Sequence, residues 1–243
     1  MQQTPATSAD IAASGPAPAA AADGPILAID AAGHACSVAL WQRGVVTATE
    51  HRAMSHGQAA ELLPMIERVM HQAGLDLRQV AQIAVAVGPG GFTGLRIGLA
   101  TARGLGLAIG CPVIGISSFQ AVAAHLLAAE PAISGDILVA LDSRRAEPYL
   151  AWLAPDLGFR QPPKLLSLDE IAPLLAEPAI TSICGDAVAG LAAQVPATWR
   201  RLAGDNTAAA VARLAADPAR RFALPADPQY LRPPDISQPK PAR

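Results

Sequence analysis

No CxxC pair, no metal-binding signature and no long uncharged apolar run occurs in this sequence, and each absence removes a class of protein. The three cysteines, Cys36, Cys111 and Cys184, are widely spaced. That argues against a disulfide scaffold and suits buried structural thiols in a reducing cytosol. The most apolar stretch is interrupted by Arg96 and Arg103, so it does not read as a membrane span. Net charge is −2 with no basic run, which makes this chain alone a poor grip for nucleic acid. HExxH, GxxxxGK[ST] and GxSxG are all missing. Aromatics are scarce, at 4% against a hydrophobic fraction of 51% that is largely alanine. The first basic residue is Arg43, so secretory, twin-arginine and mitochondrial leaders lack their charge, and residues 1–25 read as a disordered Ala/Pro extension. A cytoplasmic protein is expected, long enough at 243 residues for one large domain or two lobes.

What is present centres on Val85 to Ile116, which reads as strand, glycine loop, helix, strand. Val85-Ala86-Val87 is closed by the turn-forming Gly88-Pro89-Gly90-Gly91. Thr93 is the expected N-cap, with Phe92 and Ile97 placed for a hydrophobic staple, and Gly110 then Pro112 form the stop. Gly94, Gly98, Ala102 and Gly106 recur four apart and share one ridge. Each mid-helix glycine costs about 1 kcal/mol relative to alanine. A ridge that repeats this cost predicts another backbone lying very close.

Elsewhere the pattern alternates. Ile26 to Asp30, Ala35 to Trp41 and Val45 to Glu50 read as a strand meander. A helix from Gly57 to Ala73 follows, with the stripe Ala59, Leu62, Leu63, Ile66, Val69, Met70 and Ala73, Pro64 inside it and Met65 off the stripe. Ser118 to Glu130 is a helix stopped by Pro131. Ile137 to Asp142 then repeats the pattern of Ile26 to Asp30, and Pro148 to Leu153 continues it as a strand, which hints at two related lobes. Ser167 to Glu170 is a capping box; strand Ile180 to Cys184 and helices Ala187 to Gln194 and Thr207 to Ala216 complete an α/β fold. The expected segments are the extension 1–25, lobes 26–131 and 132–224, and a Pro-rich tail 225–243 pinned by Tyr230 and Leu231.

Several residues have two readings. Asp30 and Asp142 at strand ends could serve as base or metal ligand across a cleft, or simply open turns. Gly88 to Gly91 could cradle a phosphate, or make a sharp turn that lets the helix pack closely. The histidines His34, His51, His56, His71 and His125 show no metal-ligand spacing, Ser55-His56 implies no dyad, and Ser143 to Glu147 reads as a solvated tip.

The run Gly88-Pro89-Gly90-Gly91-Phe92-Thr93-Gly94-Leu95-Arg96-Ile97-Gly98 closely resembles the bacterial TsaB family. ILAIDAAGHACSVALW, the helix carrying LLPM, CPVIGISS, LDSRRAEPYLAW and PQYLRP agree in order, over about Ile26 to Pro233. The resemblance implies an ASKHA-type fold, actin- and sugar-kinase-like, of two related lobes with mixed sheets flanked by helices. It implies a non-catalytic dimerisation or scaffold subunit that pairs with TsaD and with the ATPase TsaE in making threonylcarbamoyladenosine beside the anticodon of tRNAs. No cofactor is then expected on this chain. ATP and a metal ion would belong to the partners, tRNA would be met only through the complex, and a homodimer is possible when the chain is alone. Where TsaD-type sequences carry two metal-binding histidines, Ser118 and Val122 stand here, and Asp30-Ala31-Ala32-Gly33 lacks the hydroxyls of the family's usual turn. The partner face implied is built from Leu62, Met65, Ile66 and Val69 of one helix and Gly94, Leu95, Gly98, Thr101, Ala102 and Leu105 of the next, with packing of the ridge on the chain's own sheet as the competing arrangement. An ASKHA-fold kinase or ATPase and a glycopeptidase-type metalloprotein are the alternative functions.

Overall fold

The computed structural model describes residues 24–204 and 208–232. The expectations for 1–23, for Thr207 as a helix start and for 233–243 lie outside the described residues. Ten strands form two five-stranded sheets. The first holds β1 (Ile26–Asp30), β2 (Ala35–Gln42), β3 (Val45–Ala53), β4 (Gln82–Gly88) and β5 (Val113–Ser117) in the order β3-β2-β1-β4-β5. The second holds β6 (Asp136–Leu141), β7 (Tyr149–Leu153), β8 (Lys164–Leu165), β9 (Ile180–Gly185) and β10 (Arg200–Ala203). Its order, read from the β8 edge, is β8-β7-β6-β9-β10, which is the first order with every strand advanced by five. Both sheets are mixed in the same way: β1 and β6 each pair antiparallel with the next strand and parallel with β4 or β9. The repeat glimpsed in ILAID and ILVALD is therefore a duplicated lobe.

Among the described residues, five helices separate and cover these sheets: α1 (Gln58–Ala73), α2 (Phe92–Ile109), α3 (Ser118–Ala129), α4 (Leu168–Leu175) and α5 (Ala208–Ala215). α1 and α2 pack on the first sheet, α5 lies against β1 and β2, and α3 bridges α5 to the second sheet. The pleat divides the second sheet cleanly. Ile137, Val139 and Leu141 enter the large central core, while Leu138 and Ala140 face an outer cluster with Ile171 of α4 and Val188. α1 ends on Gly74 in the left-handed region and runs unbroken through Pro64. Its buried stripe is Gln58, Leu62, Met65, Ile66, Val69 and Met70, so Met65 is a core residue and Leu63 and Ala59 are exposed, contrary to the sequence-based stripe. Charged flanks clamp it to β3: Arg68 donates to both Glu50 oxygens at 2.9 and 2.7 Å, and Arg52 to Glu61 at 2.6 Å.

Three sequence-based expectations change. α2 starts at Phe92, two residues early, with Gly91 as its cap, so Thr93 is not the N-cap and the Phe92–Ile97 staple does not form in that register. The helix expected over Ala187 to Gln194 is only a 3₁₀ turn, Val188–Leu191, where Gly190 and the following Pro196 leave little to propagate an α-helix. α5 returns to the first sheet, where its Ala208 N–H donates to Ser37 Oγ at 2.8 Å, so the second lobe does not extend through residue 224.

In the second lobe Asp136 is buried and receives Arg160 in a bidentate pair at 2.9 and 3.0 Å, with Trp152 Nε1 at 2.7 Å. The Arg160 hydrogen bond, helped by Trp152, holds this carboxyl below the ordinary Asp value of 3.8. A depressed carboxylate stabilises the fold above its unfolded value and loses that contribution as pH falls through its folded value. Arg160→Ala is expected to melt several degrees below the parent at neutral pH, with the gap closing below about pH 4. Melting curves across that range check it, and a gap independent of pH would refute the assignment.

Candidate functional site

Between the lobes the ends of β1 and β6 face each other through identical local geometry. Asp30 Oδ1 accepts the Ala32 N–H at 2.8 Å, and Asp142 Oδ1 accepts the Arg144 N–H at 2.8 Å. Each carboxylate thus makes the i to i+2 bond of an Asx-turn, the simpler of the two readings of these residues. The second oxygen of Asp142 lies 2.7 Å from His34 Nε2, and Asp186 accepts the Asp142 N–H at 2.6 Å. Arg144 donates across the gap to the Gly33 carbonyl at 3.3 Å, so the tip expected to be merely solvated joins the lobes. The space left among Gly33, Gly90, Ser118, Asp142 and Asp186 is about 10 Å³, room for about one water.

The glycine loop serves this closeness. Gly91 N–H donates to Ala32 O at 2.6 Å, and a Cβ on Gly90 or Gly94 would run into the carbonyl oxygen of Ala32 or Ala31. Its backbone is committed to the β1 turn, as the close-packing reading requires. Ser118 and Val122 are both buried at the start of α3. Among the described residues no group of three or more His, Cys, Asp or Glu is placed to hold a metal. Burial pushes the Cys36 thiol up to about 11 and raises Cys184 as well, which disfavours the reactive thiolate of both. Ser55 and His56 touch at 3.3 Å on the open surface.

The expected partner residues fall mostly inside the chain. Leu62, Met65, Ile66, Val69, Gly94, Leu95, Gly98 and Ala102 are buried within this lobe, and only Thr101 and Leu105 are half-buried. The ridge meets Ala31 at Gly94, Ala31 and Val85 at Gly98, and Val113 at Gly106. Of the two arrangements, packing on the chain's own sheet is the one observed for the ridge. On the opposite side of α2 lies a second stripe that the i+4 search passed over. Thr93, Ala100 and Gly104 are exposed there with the half-buried Ile97, and Leu107 is 88% exposed. A Cβ on Gly104 would meet nothing within 4 Å, so among the described residues no contact accounts for that glycine. The signal was a mid-helix glycine off the ridge.

The charged neighbours of this stripe are held aside by the C-terminal segment. Leu224 pairs with Gly115 at the edge of the first sheet, and Gln229 N–H donates to Val87 O at 2.7 Å. The Tyr230 ring sits 5.5 Å from Phe92, Arg96 lies over Phe92 and donates to Tyr230 Oη at 3.0 Å, and Arg103 pairs with Asp227. Arg232 reaches Glu147 of the second lobe at 3.2 Å.

Duplicated mixed sheets flanked by helices, meeting at paired Asp turns, define an α/β protein of the ASKHA class. Residues 47–155 match the family model described as TsaD: tRNA N6-adenosine threonylcarbamoyltransferase. The chain is 40% identical over 127 residues to the Escherichia coli tRNA threonylcarbamoyladenosine biosynthesis protein TsaB, a match covering 52% of this chain and 53% of that protein. With the Haemophilus influenzae protein of the same name it shares 37% over 126 residues, covering 52% of each. The matches span about half the length of these curated relatives. YeaZ from Pseudomonas aeruginosa, a solved structure, superposes with a TM-score of 0.74 at 26% identity, covering 85% of this chain and 99% of that one. The chain is thus similar to proteins named TsaB over about half their length, and to YeaZ over nearly all of that structure.

The ridge geometry separates two glycines. Gly94→Ala is expected to destabilise by about 1–3 kcal/mol through overpacking on Ala31. At Gly98 the nearest atoms to a Cβ are at 3.7 Å, ordinary contact. Gly98→Ala should therefore be neutral, or stabilising by up to about 1 kcal/mol from helix propensity. Urea unfolding of both variants tests this, and equal effects would contradict the packing described.

Proposed function

We propose that this chain is a non-catalytic dimerisation and scaffold subunit that binds TsaD, together with TsaE, and supports threonylcarbamoyl transfer to the adenosine beside the anticodon of tRNAs. The observation that carries this is the outward stripe of α2 around Gly104. A helix that keeps a glycine at an exposed mid-helix position, at about 1 kcal/mol relative to alanine, has a use for it outside its own fold. Small residues let a second helix approach nearer than the usual 8–10 Å or so. The partner face is thus the outer side of α2, with Thr101 and Leu105 on its margin, rather than the buried ridge.

The names of the relatives support the pathway, and the tightly closed cleft supports the absence of chemistry on this chain. A kinase or ATPase reading would need a nucleotide seated between the paired Asp turns, where about 10 Å³ is open beside Asp142 and Asp186; the roomier pocket next to Gly33 and Arg144 lies at the starts of α1 and α2 instead. On this proposal ATP and the metal ion belong to the partner subunits, tRNA is met through the complex, and the same α2 face makes a homodimer when TsaD is absent.

Gly104→Leu tests the face without touching the core. Melting should be unchanged, while affinity for the cognate TsaD should fall by about one to two decades, the equivalent of about 1–3 kcal/mol of overpacking. Co-purification followed by mass measurement in solution reads the complex directly. Unaltered TsaD affinity would place the interface elsewhere.

A further inference from the structure

A roomier pocket adjoins the Gly33–Arg144 contact between the lobes. It occupies about 450 Å³ between the first turns of α1 and α2. Both helices begin on a glycine, Gly57 and Gly91, and neither receives a hydrogen bond from a capping side chain. Leu95 is the first α2 residue whose N–H returns to the helix start, to Gly91 O at 2.9 Å; in α1 it is Ala60, to Gly57 O at 3.0 Å. The amides before them have no acceptor within their helices. Helices of 16 and 18 residues therefore direct their positive ends at one space.

A helix start alone would not define a site, but Gln58 is a separate observation. This side chain lines the pocket, is only 5% exposed, and makes no hydrogen bond among the described residues. Its Nε2 lies 3.8 Å from the position a Cβ on Gly94 would take, over the first turn of α2. An amide held in place this way, with its polar atoms turned to the pocket rather than to the protein, is placed to bond a polar ligand there. Arg144 lines the side toward the second lobe, with Nη2 3.5 Å from where a Gly91 Cβ would stand, and Ser55 and His56 line the pocket as well. Its one side-chain bond, to Gly33 O, leaves its other donors available. No Asp or Glu lines the pocket, and the nearby Asp142 is turned toward His34.

We infer that this pocket binds a phosphate group, held by the first-turn amides of α1 and α2, the Gln58 amide and the Arg144 guanidinium. The charge decides for phosphate over carboxylate. Two helix N-termini at about +0.5 each and one full charge on Arg144 sum to roughly +2. A phosphate monoester carries about −1.5 to −2 near neutral pH, whereas a carboxylate supplies a single charge. The ligand is an inorganic phosphate or a phosphate ester, and the site belongs to this chain, so it stands independently of the proposed TsaD pairing.

The test uses the full chain in phosphate-free chloride buffer at constant ionic strength, titrated with inorganic phosphate or with acetate and followed by calorimetry and melting temperature. Saturable phosphate binding is expected, tighter than acetate. Arg144→Gln, with its melting in chloride measured alongside to register the lost Gly33 contact, is expected to weaken it by about tenfold or more. Gln58→Glu, which puts a like charge into the site, should abolish it. No saturation by millimolar phosphate, acetate binding as tight as phosphate, or phosphate affinity indifferent to Arg144→Gln would each overturn the inference.

Discussion

The approach of the α2 backbone to the turn after β1 sets the geometry of everything around it. Gly90 and Gly94 allow the loop and first helical turn to lie directly on the Ala31 and Ala32 carbonyls. The Gly91 amide closes the contact with a hydrogen bond to Ala32. That contact positions the Asx-turn of Asp30 and brings Gly33 within reach of Arg144 from the other lobe. It also fixes where α2 starts relative to α1, and so the distance between their two positive ends. Close backbone packing leaves nowhere for side chains, and the glycines are the condition for it.

Duplication gives the two lobes the same strand order and the same turn at the same place, yet they are used differently. In the first lobe the helices α1 and α2 leave an apolar outer surface free of charge along Thr93, Ala100 and Gly104. In the second the outer face of the sheet is covered by the short α4 and a 3₁₀ turn, and the buried carboxylate of Asp136 is matched by Arg160 and Trp152. The lobes meet through Asp142, His34 and Asp186 with space for about one water.

Much of this was legible in the residues. Periodicity identified β1, β4, β6 and α1 to α3, and the GPGG loop with its four-residue small ridge announced a close approach. What periodicity could not decide was the partner of that approach: an inward and an outward ridge look alike until the sheet is present to choose between them. Met65 and Leu63 exchanged places for a similar reason, because a stripe drawn seven residues wide leaves its edges ambiguous. β10 was missed because Arg200 and Arg201 carry no strand pattern, their pairing with Ser182 and Ile183 being entirely nonlocal. The pocket beside Gln58 had no signal at all, since it depends on two helix starts separated by more than thirty residues.

The return of the chain to its beginning has a consequence for synthesis. The first sheet is complete in sequence by Ser117, but one of its faces is covered by α5 and its β5 edge is met by Leu224. During translation the lobe begun first is therefore finished last. Until about a hundred further residues have emerged, an apolar face and an open strand edge wait together, the two features by which nascent chains find wrong partners. For this protein the ribosome's pace and the cell's holdases are part of the folding problem, and the second lobe must fold beside an unfinished neighbour.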